Sequence, residues 1–413
     1  MRWSPALRHL LALVAAVAAL AGCDPGPETA SGPRAVTFPG AAGSAQPRLT
    51  VGLDGAPVLS WLEPAADDAV ALRYAVFEAG AFGPAREVAR GADWFVNWAD
   101  LPSVQPIAGQ VWAAHWLTLA PNSAGAYHVA AAVSSDGGRT WGAPVQLNDD
   151  DTMAEHGFVE LFAWDGDVAA LWLDGRQLAE WSFDEPDRLL GTSLRIAELD
   201  AAGKVTAREI VDELVCDCCQ PAVAMTSSGP VLAYRDRTPD EIRDIVVRRH
   251  AAGGWLPPVA AAADGWHIEG CPVNGPAIAA AGERVAVAWF TAAGGTPRVK
   301  LAWSEDGGRT FGPAVELDGA GSFGQVGVVL GQDGAAHVTW WRAAAGGGTD
   351  LVLRSVAPDG SLGEPRAVAH SRETQPVDVP QIAAAGDDLL IAWTSLEGEG
   401  TVHALLVTGA PRS

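Results

Sequence analysis

Four thiols crowd two short stretches of this chain, in Cys216-Asp-Cys218-Cys219-Gln220 and Cys271-Pro-Val-Asn274. Aligning Pro221-Ala-Val-Ala with Pro276-Ala-Ile-Ala puts Cys216 and Cys271 at equivalent positions, five residues before the proline. In an oxidising compartment such thiols predict two disulfides whose pairing the spacing leaves open. The alternative is a soft-metal site for copper or zinc, with His267 or His156 as a further ligand. Disulfides are the favoured expectation and no other cofactor is expected. Cys-x-Cys-Cys is not a common zinc spacing, and adjacent residues of an extended segment point to opposite sides.

Other segments carry acids, bases and cations. Glu155, Asp174, Asp236 and Glu269 offer carboxylates for paired acid/base work on a glycosidic bond, and His156 or His267 a base that titrates near neutrality. Arg235-Asp236-Arg237 leads through Glu241 to Arg243, and Leu173-Asp174-Gly175-Arg176 adds a further cation. Arginine forks of this kind grip a ligand carboxylate bidentately, or pair internally and stiffen a loop. Asn97 and Asp100 lie in an aromatic-rich stretch from Trp94. The catalytic candidates are therefore Asp174, Glu155, Tyr234 and His156. The ligand-binding candidates are Arg176, Arg235, Asp236, Arg237, Glu241, Arg243, His267, Asn274, Asn97 and Asp100.

The elements that must hold these residues are strands. A short apolar run ending in an aromatic recurs at Trp61, Trp116, Trp172, Tyr234, Trp289, Trp340 and Trp393, at intervals of 55, 56, 62, 55, 51 and 53 residues. That period is one four-stranded blade with generous loops. The expected fold is all-β, a β-propeller of seven blades with six as the alternative. The seventh unit ends after three strands, and Arg34-Ala-Val-Thr-Phe38 is positioned to supply the fourth and close the ring. With antiparallel strands counted from the axis outwards, the first–second and third–fourth turns share one face of the disc. The second–third loops and the connections between blades share the other. All the candidates above fall on this second face, over blades two to five at the mouth of the axial funnel.

Two third–fourth turns repeat one grammar. Ser134-Ser-Asp136-Gly-Gly138-Arg-Thr140-Trp141 and Ser304-Glu-Asp306-Gly-Gly308-Arg-Thr310-Phe311 both read Ser-x-Asp-x-Gly-x-Thr-aromatic. The acid bonds turn amides, the glycines take φ > 0 and the aromatic packs back under the loop. These turns resemble the Asp-box, or BNR repeat, of sialidase-like β-propellers. The resemblance implies a glycan-directed protein and exo-sialidase chemistry from an arginine cluster, an acid/base Asp and a Tyr–Glu nucleophile. The chain carries no Arg-Ile-Pro motif. Of its tyrosines, Tyr74 and Tyr127 fall on third strands, where packing is expected, and Tyr234 is the one placed to substitute for the nucleophile.

The N-terminus has a basic start, an apolar stretch from Leu10 to Ala21, and Leu20-Ala21-Gly22-Cys23, which resembles a lipobox. The expected organisation is a lipoprotein signal peptide over 1–22, lipidated Cys23 and a tether over 23–46, and the propeller over 47–413. This places the protein in a bacterial envelope, held by lipid on the periplasmic face of the inner membrane or at the cell surface. With 27 Lys and Arg against 50 Asp and Glu, the formal charge is −23, which argues against nucleic acid as a partner. The expected function is binding, with hydrolysis as an extension, of a glycan or other small polar ligand. The alternatives are a non-catalytic platform for an envelope protein partner, and a thiolate-dependent metal handler.

Overall fold

The computed structural model describes residues 32–52, 54–123, 125–180, 184, 189–397 and 400–408. Among these, seven antiparallel sheets of four or five strands follow one another along the chain. The innermost strands begin at Ala45, Ser103, His156, Ala222, Ala277, Ser322 and Gln381. Blade seven is completed from the other end of the sequence, with Pro33–Val36 pairing antiparallel to Thr401–Val407 in register Pro33↔Val407 to Val36↔Ala404. The expected closing strand is therefore present, and seven blades stand rather than six. Residues 32–46, expected as part of a tether, belong to the propeller. Cys23 and the expected signal peptide over 1–22 lie outside the described residues.

The core is divided among the junctions. Seven clusters of buried apolar side chains each join residues of two neighbouring blades, and the cluster holding Leu59, Trp61, Leu390 and Leu406 joins blade one to blade seven. The strand alternation explains this: one face of each sheet packs on the blade before and the other on the blade after, so both must be apolar. The recurring aromatic of every second strand is buried, from Trp61 at 0% exposed to Trp393 at 8%.

A buried indole or phenol still needs an acceptor. In five blades a carboxylate supplies it. Trp61 Nε1 donates to Glu63 at 3.2 Å, Trp172 to Asp174 at 3.0 Å, Trp289 to Asp264 at 2.7 Å and Trp340 to Asp318 at 2.7 Å, while the Tyr234 hydroxyl donates to Asp212 at 2.6 Å.

The two Ser-x-Asp turns are superimposable in their bonding. Asp136 Oδ1 accepts from the Thr140 amide at 2.9 Å and its Oδ2 from the Thr140 hydroxyl at 2.7 Å; Asp306 and Thr310 repeat both distances. Ser134 and Ser304 each donate to their aspartate and accept the Gly138 or Gly308 amide. Both glycines have positive φ, 76° and 80°. Each turn leans on the preceding blade: the Tyr74 hydroxyl donates to Gly138 O at 2.6 Å, and Gly308 abuts Val231 and Val247. Gly137 N bonds Gln110 O and Gly307 N bonds Glu283 O, which puts these turns beside the first–second turns and on the face opposite the polar loops.

The turn bonds hold the carboxylates of Asp136 and Asp306 down to about 2. Each therefore stabilises the fold above the ordinary carboxylate range and loses that contribution as pH falls from about 4 to about 2. Asp306→Ala is expected to lower Tm by about 2–4 °C at pH 7. In calorimetry the difference from the parent protein should shrink toward pH 2.

Candidate functional site

On the polar face the structure gathers the candidate residues into four groups. The first is built on Asp174, wholly buried at the end of a second strand, with Arg176 forking it through Nε–Oδ1 and Nη2–Oδ2 bonds of 2.7 Å. Arg176 also reaches Asp149 at 2.7 Å and Asp150 at 3.1 Å. Buried His156 bonds Tyr127 O at 2.8 Å through Nδ1, and its Nε2 lies 3.3 Å from Asp150 and 3.7 Å from Asp174. Asp150, His156 and Asp174 have ligand-type atoms within 4.8 Å of one another, the donor set of a divalent cation. The Arg176 guanidinium sits on the same carboxylates and fills the cation's electrostatic role. Asp174, satisfying Trp172 and Arg176 together, is an architectural acid.

The second group is the arginine-rich loop of blade four. Arg235 is 1% exposed, and its guanidinium donates to the carbonyls of Asn274, Arg243 and Phe290 at 2.7–2.9 Å, with the Trp266 ring 4.8 Å away. Glu241 bridges Arg237 at 2.6 Å and Arg243 at 2.8 Å, and Asp217 lies 3.3 Å from Arg243. The expected clamp for a ligand carboxylate is instead a set of internal pairs and carbonyl bonds. Tyr234 is wholly buried, and burial followed by the Asp212 charge raises its phenol, so it stays protonated. Asp236 is pushed up to about 6 by burial and then by Asp212. His267 is exposed, with its backbone bridged to Ile242.

A third group recurs where the chain enters the innermost strands. Asp100, Cys219, Asn274 and Asp378 each stand two residues before a proline that opens such a strand, and each is buried, at 1–5% exposed. Proline lacks an N–H and suits a first strand position; the residue two before it turns into the wall. There Asn274 accepts from Gln325 N at 2.7 Å and donates to Phe323 O at 3.1 Å, and Asp378 accepts from Thr394 N. Asn97 accepts from Ala99 N at 3.1 Å. Burial pushes Asp100 and Asp378 up to about 7.

The fourth group is the cysteines. Cys218 and Cys271 form a disulfide between the segments that lead into blades four and five, with Cα atoms 6.1 Å apart. Cys216 and Cys219 are free and buried, with sulfurs 3.0 Å apart. One of the two expected disulfides is formed.

Two cavities open on this face. The axial one, about 190 Å³, is lined by Arg48, Glu160, Cys218, Gln220, Gln325 and Gln381. Arg48 and Glu160 form an ion pair across it, and Gln220 donates to Glu160 at 3.0 Å. The other, about 240 Å³, lies between blades two and three, with Met153, Phe158 and Leu178 as an apolar wall and Tyr127, Glu155, Thr192 and Asp217 as a polar one. Glu155 is raised by burial and then by the Asp217 charge, and no hydrogen bond or ion pair to its carboxyl occurs among the described residues. Tyr127, its ring stacked on Phe95 at 4.1 Å, is raised by burial and then by Asp100 and Glu155. Sequence reasoning missed Arg48, Glu160 and the pocket role of Tyr127. The available signal was a charged residue interrupting an innermost strand.

No protein-family model matches the sequence, and no curated protein sequence does. Solved structures match in fold. A puromycin-hydrolysing peptidase of Mycobacterium tuberculosis is 13% identical with a TM-score of 0.50, over 91% of this chain and 54% of its own. A Dyadobacter fermentans protein of unknown function is 13% identical at 0.49, over 90% and 97%. The Hadza microbial sialidase Hz136 is 14% identical at 0.44, over 73% and 64%. At these identities the likeness is one of fold alone, the β-propeller.

Asp174→Ala is expected to cost on the order of 3 kcal/mol in denaturant unfolding, because it leaves the buried Trp172 N–H without an acceptor and removes the forked Arg176 bonds, while Asp149 and Asp150 still hold the guanidinium. For Asp100 and Asp378 the folded value lies above the unfolded one, so their contribution is full below about 4 and is lost as pH rises through about 7. The double variant Asp100→Asn, Asp378→Asn should flatten the decline of Tm between pH 5 and 8, read by calorimetry.

Proposed function

We propose that this chain is a binding propeller for a small neutral glycan or similar polyhydroxylated molecule, taken on the polar face beside Glu155 and Tyr127. The observation that carries the reading is Glu155: a carboxyl exposed at the rim of a pocket with an apolar side, without a protein partner among the described residues. A sugar ring presents a C–H face and a hydroxyl edge, and this pocket offers Phe158 and Leu178 to the first and Glu155, Thr192 and Asp217 to the second. At about 240 Å³ it suits one or two rings rather than a long chain.

Acidic walls and the net charge of −23 disfavour an anionic sugar. The arginines that would attract one are committed internally. Tyr127 and Tyr234 are both held protonated, so the Tyr nucleophile implied by the sequence resemblance has no activated counterpart, and binding is favoured over turnover. The two Asp-box-like turns support kinship with glycan-directed propellers. Lipidation at Cys23, supported by Leu20-Ala21-Gly22-Cys23, would hold this face at an envelope membrane.

Calorimetric titration with neutral and sialylated mono- and disaccharides tests the reading. A neutral sugar should bind, Glu155→Gln should weaken it about tenfold, and no fluorogenic glycoside should turn over. Preference for the sialylated sugar, or an unchanged affinity in Glu155→Gln, would sink it.

A further inference from the structure

Outside the pocket, one cluster holds reactive groups that the binding reading does not use. Cys216 and Cys219 stand in Cys-x-x-Cys spacing, free, each 1% exposed, with sulfurs 3.0 Å apart. The Cys218–Cys271 disulfide lies against them, and all four sulfurs fall within 4.8 Å of one another. The two pairs differ in access: Cys218 lines the axial cavity and Cys271 is exposed.

We propose that these four cysteines form a thiol–disulfide exchange centre, passing an electron pair from the buried dithiol Cys216/Cys219 to the exposed disulfide Cys218–Cys271 and thence to a dissolved disulfide. The Cys216 thiolate attacks the Cys218 sulfur, forming a Cys216–Cys218 bond and releasing Cys271 as a thiolate. Cys219, losing its proton to Cys271, attacks the Cys216 sulfur and releases Cys218, which takes up the proton that Cys216 gave up to solvent. The Cys216–Cys219 pair is now the disulfide, and two electrons and two protons have moved to Cys218 and Cys271. A dissolved disulfide, RS–SR, then takes both from the exposed pair, leaving two RSH and the Cys218–Cys271 bond restored. Closing Cys216 on Cys219 needs a sulfur movement of about 1 Å, since a bonded pair is about 2.05 Å apart.

The surroundings fit an attacking thiol paired with a resolving one. Arg243 Nη1 lies 3.5 Å from the Cys216 sulfur. The Cys219 thiol, with the Arg235 and Arg243 cations, brings Cys216 down to about 6 against its burial, whereas burial and the neighbouring Cys216 raise Cys219 well above an ordinary thiol. Asp217 and Glu241 face the same arginines and temper their field without contacting the sulfur. Opposed values in one Cys-x-x-Cys pair are the arrangement that makes one sulfur nucleophilic at neutral pH.

The test uses the full chain, equilibrated with reduced and oxidised glutathione, quenched in acid, alkylated and mapped by peptide mass spectrometry. The expected result is two interconverting isomers, Cys218–Cys271 and Cys216–Cys219, giving way to the form with both disulfides as the share of oxidised glutathione rises. Cys219→Ser should accumulate the Cys216–Cys218 bond with Cys271 free, and Arg243→Gln should slow the interconversion of the isomers at pH 7 about tenfold. Two results would overturn the proposal: no Cys216–Cys219 bond at any glutathione ratio, or stoichiometric zinc or copper on the purified protein. The wild-type isomer map needs no variant to fold. Sugar titration is indifferent to the outcome, so this proposal and the binding reading fail separately.

Discussion

A ring N–H or phenol O–H left unmet between two sheets costs about 1–3 kcal/mol, a cost this chain bears at Trp303 and Trp341 but avoids at most of the aromatics that recur with the blade period. Here the acceptor is a carboxylate in five of the blades, at the polar-face end of the sheet. A carboxylate brought that far in needs a cation in turn. Arg73 lies 2.9 Å from Glu63, Arg176 2.7 Å from Asp174, Arg248 3.5 Å from Asp212 and Lys300 2.5 Å from Asp264. The charge on the loop face is therefore largely a consequence of the aromatics in the core. Much of what looks like catalytic equipment in the sequence is the outer end of a packing solution.

This chain of dependence explains what could be read from the sequence. The blade period and the two Ser-x-Asp turns depend on alternation and on bonds spanning four residues or fewer, so local pattern reveals them, and the closing strand follows from a seventh unit that is one strand short. The partner of an indole does not. Trp172 finds its acid two residues away, but Trp340 finds Asp318 at a separation of 22 and Trp289 finds Asp264 at 25. Arg235 is a sharper case. As a sequence it sits in a charged loop, yet its guanidinium answers carbonyls from a neighbouring blade up to 55 residues on. Only the packed seam supplies those acceptors.

Cys218 and Cys219 show the same contrast over one peptide bond. The chain turns at Asp217 and Cys218, and the two sulfurs leave that turn on opposite sides, so one lines the axial cavity and bridges to blade five while the other is sealed within the wall. That the two would part was legible, but not which sulfur would face which environment. That depends on Gly275, whose backbone lies so close to Gln220 that a Cβ there would come within 2.0 Å of the Gln220 carbonyl oxygen. A residue larger than glycine would part blades four and five where their innermost strands begin, and separate the sulfurs with them.

The position two residues before the strand-opening proline holds Asp, Cys, Asn and Asp in blades two, four, five and seven. It is one backbone socket with four occupants, and the scaffold around it is the same whether the occupant is an acid, an amide or a thiol. A repeat protein of this kind can diversify by changing what fills its sockets, without redrawing any strand. The ring then behaves as a rack of interchangeable reagents, loaded blade by blade, and this chain has placed its sulfur next to its amide.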